Sequence, residues 1–277
     1  MKIIVHADDF GLSKQINEGI IYAHTNGILT STSIMACGPA FDHAVQLIKE
    51  VGSLDIGVHL TVIEERPLLS PLYIPSLVAN GERFHPHAKD FFKRYIMGRI
   101  SLEEVRLEFT KQIEKVLDNG IDISHIDSHQ HIHILPGIFK ITVALARKYG
   151  IRSIRFPDEK LRLYMFKRIS GYPRVLQLVI VKTILKFANK KNNLFSPKFY
   201  GFFFGGRLNR ENLRIILKKL PKDGIAEIMC HPGLSDPDSN YLHWKYDWQD
   251  ELDALTDNEI RNQLIQRGIK LYSFRDL

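Results

Sequence analysis

The chain has 277 residues, 44% of them hydrophobic and 25% charged, with a formal net charge of +7. That length is long for one β-sandwich but ordinary for one α/β barrel, and the composition supports a sizeable core. Cys37 and Cys230 lack framework spacing, which excludes a disulfide scaffold and points to a reduced, cytoplasmic protein.

In chain order, "KIIVH" (2–6) predicts a strand, followed by a helix near 14–26 with Ser13 at its N-cap. A strand at 31–36 and a helix near 40–51 follow, then a strand at 54–60. The stretch 61–100 breaks the rhythm with four prolines and an "NGERF" turn, and reads as a long capping insertion over one barrel mouth. Ser101 ahead of Glu104 forms a capping box for a helix at 101–118, which Gly120 ends. Strands at 122–127, 152–156, 199–204, 225–230 and 270–274 then alternate with helices near 136–149, 173–190, 209–219 and 250–267. Such repetition implies a mainly parallel sheet with right-handed crossovers. About eight such units predict an α/β fold of one domain over 1–277: a TIM-like (β/α) barrel, closed or distorted.

The charge excludes less than it suggests. Lys and Arg gather mainly in 147–222, without zinc-finger spacing, a ribonucleoprotein signature or heptads, so no nucleic-acid partner is expected. "MKIIVHADDF" fits no signal peptide, and "VLQLVIV" (175–181) is too short to span a bilayer.

The chemistry gathers at strand ends. "HADDFG" (6–11), "GVHL" (57–60), "RFP" (155–157) and "CHPG" (230–233) each fall at the carboxyl end of an expected strand, and "HIDSHQHIH" (125–133) continues another. That is where barrel enzymes build their sites. His125, Asp127, His129, His131 and His133 share one parity, so an extended segment projects all five to one face, toward water, a metal or a substrate. The competing structural reading is a solvated, His-rich edge strand. Asp8 and Asp9 are neighbours, so one can bind a metal while the other reaches a water. Two imidazoles and a carboxylate form a hydrolytic site suited to Zn²⁺ and tolerant of other divalent ions. His59 and one of His129, His131 or His133 can supply the imidazoles, and spacing leaves those three open.

"HADDFGLS", "GVHL", "HIDSHQHIH" and "HPG", in this order and separation, resemble the YdjC-like carbohydrate deacetylases, which include chitooligosaccharide deacetylases. The resemblance runs from residue 3 to about 235. "NGILTSTSIMACGPAFDHAV" and "FFFGG" are similar to a branch associated with hopanoid biosynthesis. It implies one divalent metal ion, Zn²⁺ or Mg²⁺, held by Asp9, His59 and His129, with Asp8 as general base and His231 as general acid. Arg155 resembles the arginine that orients the base aspartate in the wider polysaccharide deacetylases. His6 is expected to pack or hydrogen-bond near the site, His125 and Asp127 to hold a ligand's tautomer, and His131 and His133 to line the pocket.

The expected activity is removal of the N-acetyl group from an N-acetylated amino sugar, an oligosaccharide or a lipid-linked glycan, with release of acetate. A metal-dependent phosphoesterase is the rival enzyme class, and a non-catalytic sugar- or metal-binding protein the rival outside catalysis. The family implies a homodimer. The segment 161–195 mixes Lys and Arg with dense apolar residues and holds no acidic residue, which suggests weak peripheral membrane contact; an ordinary barrel helix with lysines in water is the competing reading.

Overall fold

β1 (Lys2–Phe10) runs through the middle of the sheet, and every residue after Lys2 in it is buried. The structure, a computed structural model, describes residues 1–167, 169–187 and 195–277. After β1 come α1 (Lys14–Asn26), β2 (Ser31–Ile34), α2 (Phe41–Val51) and β3 (Asp55–Leu60). The hairpin β4 (Val78–Ala79) and β5 (Arg83–Phe84) follows, then α3 (Ala88–Ile96) and α4 (Leu102–Asp118). The chain continues through β6 (His125–Ser128), α5 (Pro136–Lys148), β7 (Ser153–Ile154), α6 (Tyr172–Phe187), β8 (Lys198–Tyr200) and α7 (Arg210–Lys219). It finishes with β9 (Ile225–Cys230), α8 (Trp248–Leu255), α9 (Asn258–Gln266) and β10 (Lys270–Leu271).

The main sheet runs β7-β6-β3-β2-β1-β9-β8, with β10 off this path against the start of β1. All its pairs are parallel, as the strand–helix alternation requires. It curls into a distorted (β/α) barrel whose two outer edges meet, among the described residues, through the bridge Ser153↔Phe195. Closure is incomplete because the eighth strand is spent elsewhere: β10 pairs only Lys2 and Ile3, while β2 takes the same edge of β1 from His6 onward.

Strand alternation divides the molecule into two cores. On β1, Ile3, Val5 and Ala7 face the helices and join the main apolar cluster. The opposite parity carries His6 and Asp8, and the same inner side receives Asp127, Arg155 and Glu227. Gly57 on β3 makes room within this interior, since a Cβ there would lie 2.4 Å from the His125 ring. Phe274, near the carboxyl terminus, stacks on that ring at 3.9 Å and donates its backbone N–H to Asp55.

Local signals explain most boundaries. Ser13 accepts from the Ile16 N–H, and Gly120 and Gly150 take the positive φ that follows a helix end. The capping box at Ser101 is only half formed: Ser101 accepts from Glu104, but the Glu104 carboxylate bonds the Ser76 N–H instead. The single helix expected over 250–267 is two, because Asp257 caps the Ile260 N–H and restarts the turn. The stretch 61–100 does cap one mouth of the barrel, with α3 forming a wall of the cleft there. Of the helix expected at 173–190, residues 188–190, including Ala188 and Lys190, lie outside the described residues. Among the described residues no helix is long and apolar enough to cross a membrane.

Candidate active site

The end of β1 is bent. Its register with β2 shifts between Ala7 and Phe10, and Asp9 adopts a positive φ of 67°. Such a bulge re-aims side chains, and a non-glycine residue in this region is strained unless its surroundings hold it. The result is that the two adjacent carboxylates serve different partners.

Asp9 faces two imidazoles. Its Oδ1 lies 3.3 Å from His59 Nε2 and 3.1 Å from His129 Nδ1. His59 stands on β3 directly opposite Asp127 of β6, and its Nδ1–H donates to Asp127 Oδ1 at 2.8 Å. That bond aims Nε2 at Asp9, and Ser33 steadies the same carboxylate at 3.0 Å. On the far side of His129, Glu64 lies 3.8 Å from Nε2 and is itself held by the Trp244 indole N–H at 3.0 Å. Burial alone would depress both imidazole pKa values, but the surrounding carboxylates push His59 up to about 10 and His129 to about 9. Burial would raise Asp9, yet the two imidazoles hold it well below the ordinary carboxylate range.

This cluster therefore demands positive charge, which protons or a cation can supply. Asp9, His59 and His129 bring one ligand atom each within 4.8 Å of one another, all three are buried, and among the described residues His129 Nε2 has no hydrogen-bond partner. Two nitrogens and one oxygen are a donor set that Zn²⁺ accepts and other divalent ions tolerate, so the residues fit the expected metal.

Asp8 faces Arg155 instead. The guanidinium donates from Nη1 to Asp8 Oδ2 and from Nη2 to Asp8 Oδ1, both at 2.8 Å. The same fully buried arginine reaches Asp127 Oδ2 at 2.7 Å and Glu227 Oε1 at 2.6 Å. Burial favours the neutral acid, but the Arg155 guanidinium keeps the Asp8 pKa well below normal. The base candidate is thus an ionised carboxylate gripped at both oxygens.

Behind Asp8, one set of tautomers gives a continuous chain of hydrogen bonds. Arg155 Nη2 donates to His6 Nδ1 at 2.7 Å, so His6 Nε2–H donates to His125 Nε2 at 2.7 Å. His125 Nδ1–H then donates to Ser124 Oγ at 2.8 Å, and Ser124 to the Ile56 carbonyl. Burial, reinforced by His6, holds the His125 pKa well below its usual value, so this ring is neutral.

His231 follows β9 and lines the cleft with Asp8, its Nε2 4.0 Å from Asp8 Oδ2. Its backbone N–H donates to Glu251 Oε2 at 2.5 Å, and Tyr246 packs edge-on at 4.8 Å. Burial lowers the His231 pKa, against the pull of Asp8 and Asp9.

The five-residue face predicted for 125–133 does not exist as such. β6 stops at Ser128, and Gln130 and His131 both have φ of 54°, which reverses the chain. His125 faces neither water nor substrate but is fully buried between His6 and Phe274. His131 does line the cleft, stacked on Phe202 at 5.4 Å. His133 does not line it. The turn sends it back to bond Ser128 Oγ at 2.5 Å and the Arg155 carbonyl at 2.8 Å, so it ties two strand ends together. Sequence reasoning missed Ser33, Glu64, Glu227, Trp244, Tyr246 and Glu251. Glu227 was findable as a charged residue inside the apolar strand "IAEIMC".

The cleft over these groups has a volume of about 780 Å³. Its floor is Asp8, Asp9, His59, His129 and His231, and α3 and α6 supply apolar walls that include Phe92, Ile96, Ile180 and Ile184.

A relative from Clostridium beijerinckii named carbohydrate deacetylase is 31% identical over the full length of both chains. A Geobacillus stearothermophilus relative of the same name is 30% identical over 99% of this chain and 96% of its own. A Klebsiella pneumoniae relative named chitooligosaccharide deacetylase is 31% identical over 99% and 98%. A solved structure from Enterococcus faecalis V583, provisionally assigned to cellobiose-phosphate cleavage, is 27% identical and superposes with a TM-score of 0.78 over 99% of this chain and 98% of that one. The YdjC-like protein family model matches residues 2–266, and the chain belongs to that family.

Proposed function

We propose that this protein is a metal-dependent carbohydrate deacetylase that hydrolyses the acetamido group of an N-acetylated amino sugar to acetate and a free amine. The observation that carries the reading is the meeting, on one cleft floor, of a two-imidazole, one-carboxylate cluster with a separately anchored carboxylate and a further imidazole. The names of the full-length relatives support the substrate class.

Asp9, His59 and His129 would hold one divalent ion, Zn²⁺ or Mg²⁺. When bound, it polarises the acetamide carbonyl and acidifies a water. Asp8, fixed by Arg155, takes the water's proton as the oxygen adds to the carbonyl carbon. His231, carrying a proton, gives it to the nitrogen as the C–N bond breaks, because an unprotonated amide nitrogen leaves poorly. His131 and the apolar walls orient the sugar. His6, His125 and Asp127 act through other residues: the first two brace Arg155, and the last aims His59.

Acetate release from N-acetylglucosamine oligomers and lipid-linked N-acetylglucosamine, with and without chelator, tests the proposal. Chelator-sensitive acetate supports it, and chelator-insensitive or absent acetate from every substrate rejects it. The phosphoesterase alternative calls for two or three ions per site, and a metal count separates it. A binding protein without catalysis would have no use for Asp8 locked beside the ligand cluster.

The whole of 1–277 is proposed to act as one unit. We further assign a homodimer on the family resemblance, testable by sedimentation velocity. A reduced cytoplasmic setting follows from Cys37 and Cys230, both free and buried, and cell fractionation checks it. Weak membrane contact through 161–195 completes the proposal. Its support is that Leu163, Ile169 and Leu176 are 88%, 82% and 62% exposed.

A further inference from the structure

Beside the cleft, the segment before α6, the start of α6, the 203–207 loop, α7 and the 244–246 loop enclose a second cavity of about 1200 Å³. Among the described residues, seven basic side chains line it, including Lys167, Arg174, Arg207, Lys218 and Lys245, against a single carboxylate, Glu211. Arg174 is held in place by neutral partners, the Gln177 side chain and the Gly205 carbonyl. A hollow with this imbalance attracts anions, and phosphate groups above all.

Its rim is apolar. Among the described residues, eight of the 18 exposed large apolar side chains fall within 161–180. Leu161 and Leu163 line the basic cavity itself, and Ile180 lines the neighbouring cleft together with Ile96 at the end of α3 and Met97 just after it. These residues are not a displaced core face. α6 already buries Val175, Leu178 and Leu185, while Leu176, Val179 and Ile180 remain outside. A soluble phosphorylated ligand would use the basic side chains and leave the apolar rim without a role. A bilayer with anionic headgroups uses both, phosphate for the cations and the acyl boundary for the exposed aliphatics.

We infer that this face docks on an anionic membrane surface, with lipid phosphates entering the basic cavity and Leu163, Ile169 and Leu176 entering the interface. The inference rests on the membrane contact proposed above and gives it a specific site. The two cavities share Arg174, Gln177, Gly205 and Tyr246, so the docked face opens directly beside the catalytic floor.

Co-sedimentation of the full chain with phosphatidylcholine vesicles, with and without phosphatidylglycerol, tests it at low and high salt. The protein should pellet with the anionic vesicles at low salt, detach at high salt, and ignore neutral ones. Combined Lys167→Glu, Arg207→Glu and Lys218→Glu should weaken binding by about 100-fold at low salt, at roughly fivefold per basic residue lost near the surface, and by less once salt screens it. Leu163→Ser with Ile169→Ser should weaken it too, and neither set should alter acetate release from a soluble substrate. If the wild type pellets but charge reversal changes nothing, the basic cavity is not the site, although the contact stands. If the wild type stays in the supernatant at low salt, the contact and the site both fall. Binding of inorganic phosphate without vesicle binding would also overturn the inference, and in each case the deacetylase reading is untouched.

Discussion

Two clusters in the barrel have the same composition and different fates. Asp9, His59 and His129 are one, and His6, His125 and Asp127 the other; each offers two imidazoles and a carboxylate, all buried. In the second cluster the donors are already spent. The two imidazole Nε2 atoms are 2.7 Å apart in a hydrogen bond, and the Arg155 guanidinium occupies Asp127 at 2.7 Å. A cation there would meet a fixed positive charge. In the first cluster, among the described residues, no arginine intrudes, His129 Nε2 has no hydrogen-bond partner, and the group opens on the cleft. Ligand types alone therefore do not make a metal site; access from the cleft and a deficit of positive charge do.

The comparison can be broken by substitution. The largest effect is expected at the residue between the clusters: Asp8→Asn should cut turnover by roughly 10²–10⁴-fold while metal content holds, the usual scale for a general base. Turnover near the wild-type value would require another base. Asp127→Asn comes next. It loosens the hydrogen bond that aims His59, so metal affinity should fall about 10–100-fold by calorimetric titration; unchanged affinity would leave His59 independent of its partner.

His125→Phe sharpens the contrast from the other side. The ring is replaced by one of similar shape, and His6 Nε2–H loses its acceptor. A loss of about 1–3 kcal/mol in denaturant unfolding is expected, with full metal loading. Loss of metal there would mean that the two clusters act as one. The smallest effect lies outside both, at Glu159, whose pKa burial raises from 4.5 to about 7. Below pH 4.5 the folded and unfolded states both hold this proton, so nothing is lost. As pH rises from there through 7 only the unfolded state releases it, and stability falls by up to ~3 kcal/mol. Glu159→Gln keeps an acceptor for the Phe203 N–H and should reduce the decline seen in thermal unfolding between pH 5 and 8, the remainder coming from groups such as Glu251, which burial raises to about 8. An equal decline in both proteins would place the linkage elsewhere.

Much of this was legible from residue order. Strand–helix alternation reveals the barrel, and the carboxyl ends of β1, β3 and β9 carry Asp8 and Asp9, His59 and His231 as expected. What alternation could not reveal is where it stops. Parity arguments hold through Asp127, but two consecutive residues with positive φ after His129 turn His131 toward the cleft and His133 toward the Arg155 carbonyl. Nothing in "SHQHIH" announces that turn, since neither Gln nor His is a turn residue by propensity. Incomplete closure was equally hidden, because a strand of two residues reads like any other short apolar run. Glu64, Trp244 and Glu251 lie outside every recognisable motif, and only the chain's return over the mouth places them beside His129 and His231.

The most direct test of the central claim is the number of divalent ions bound per chain, measured by elemental analysis after dialysis, in the wild type, His129→Ala and His125→Phe. One ion in the wild type, about one in His125→Phe and little in His129→Ala is the predicted pattern. Full occupancy in His129→Ala, or an ion lost only in His125→Phe, would contradict the assignment of the metal to Asp9, His59 and His129.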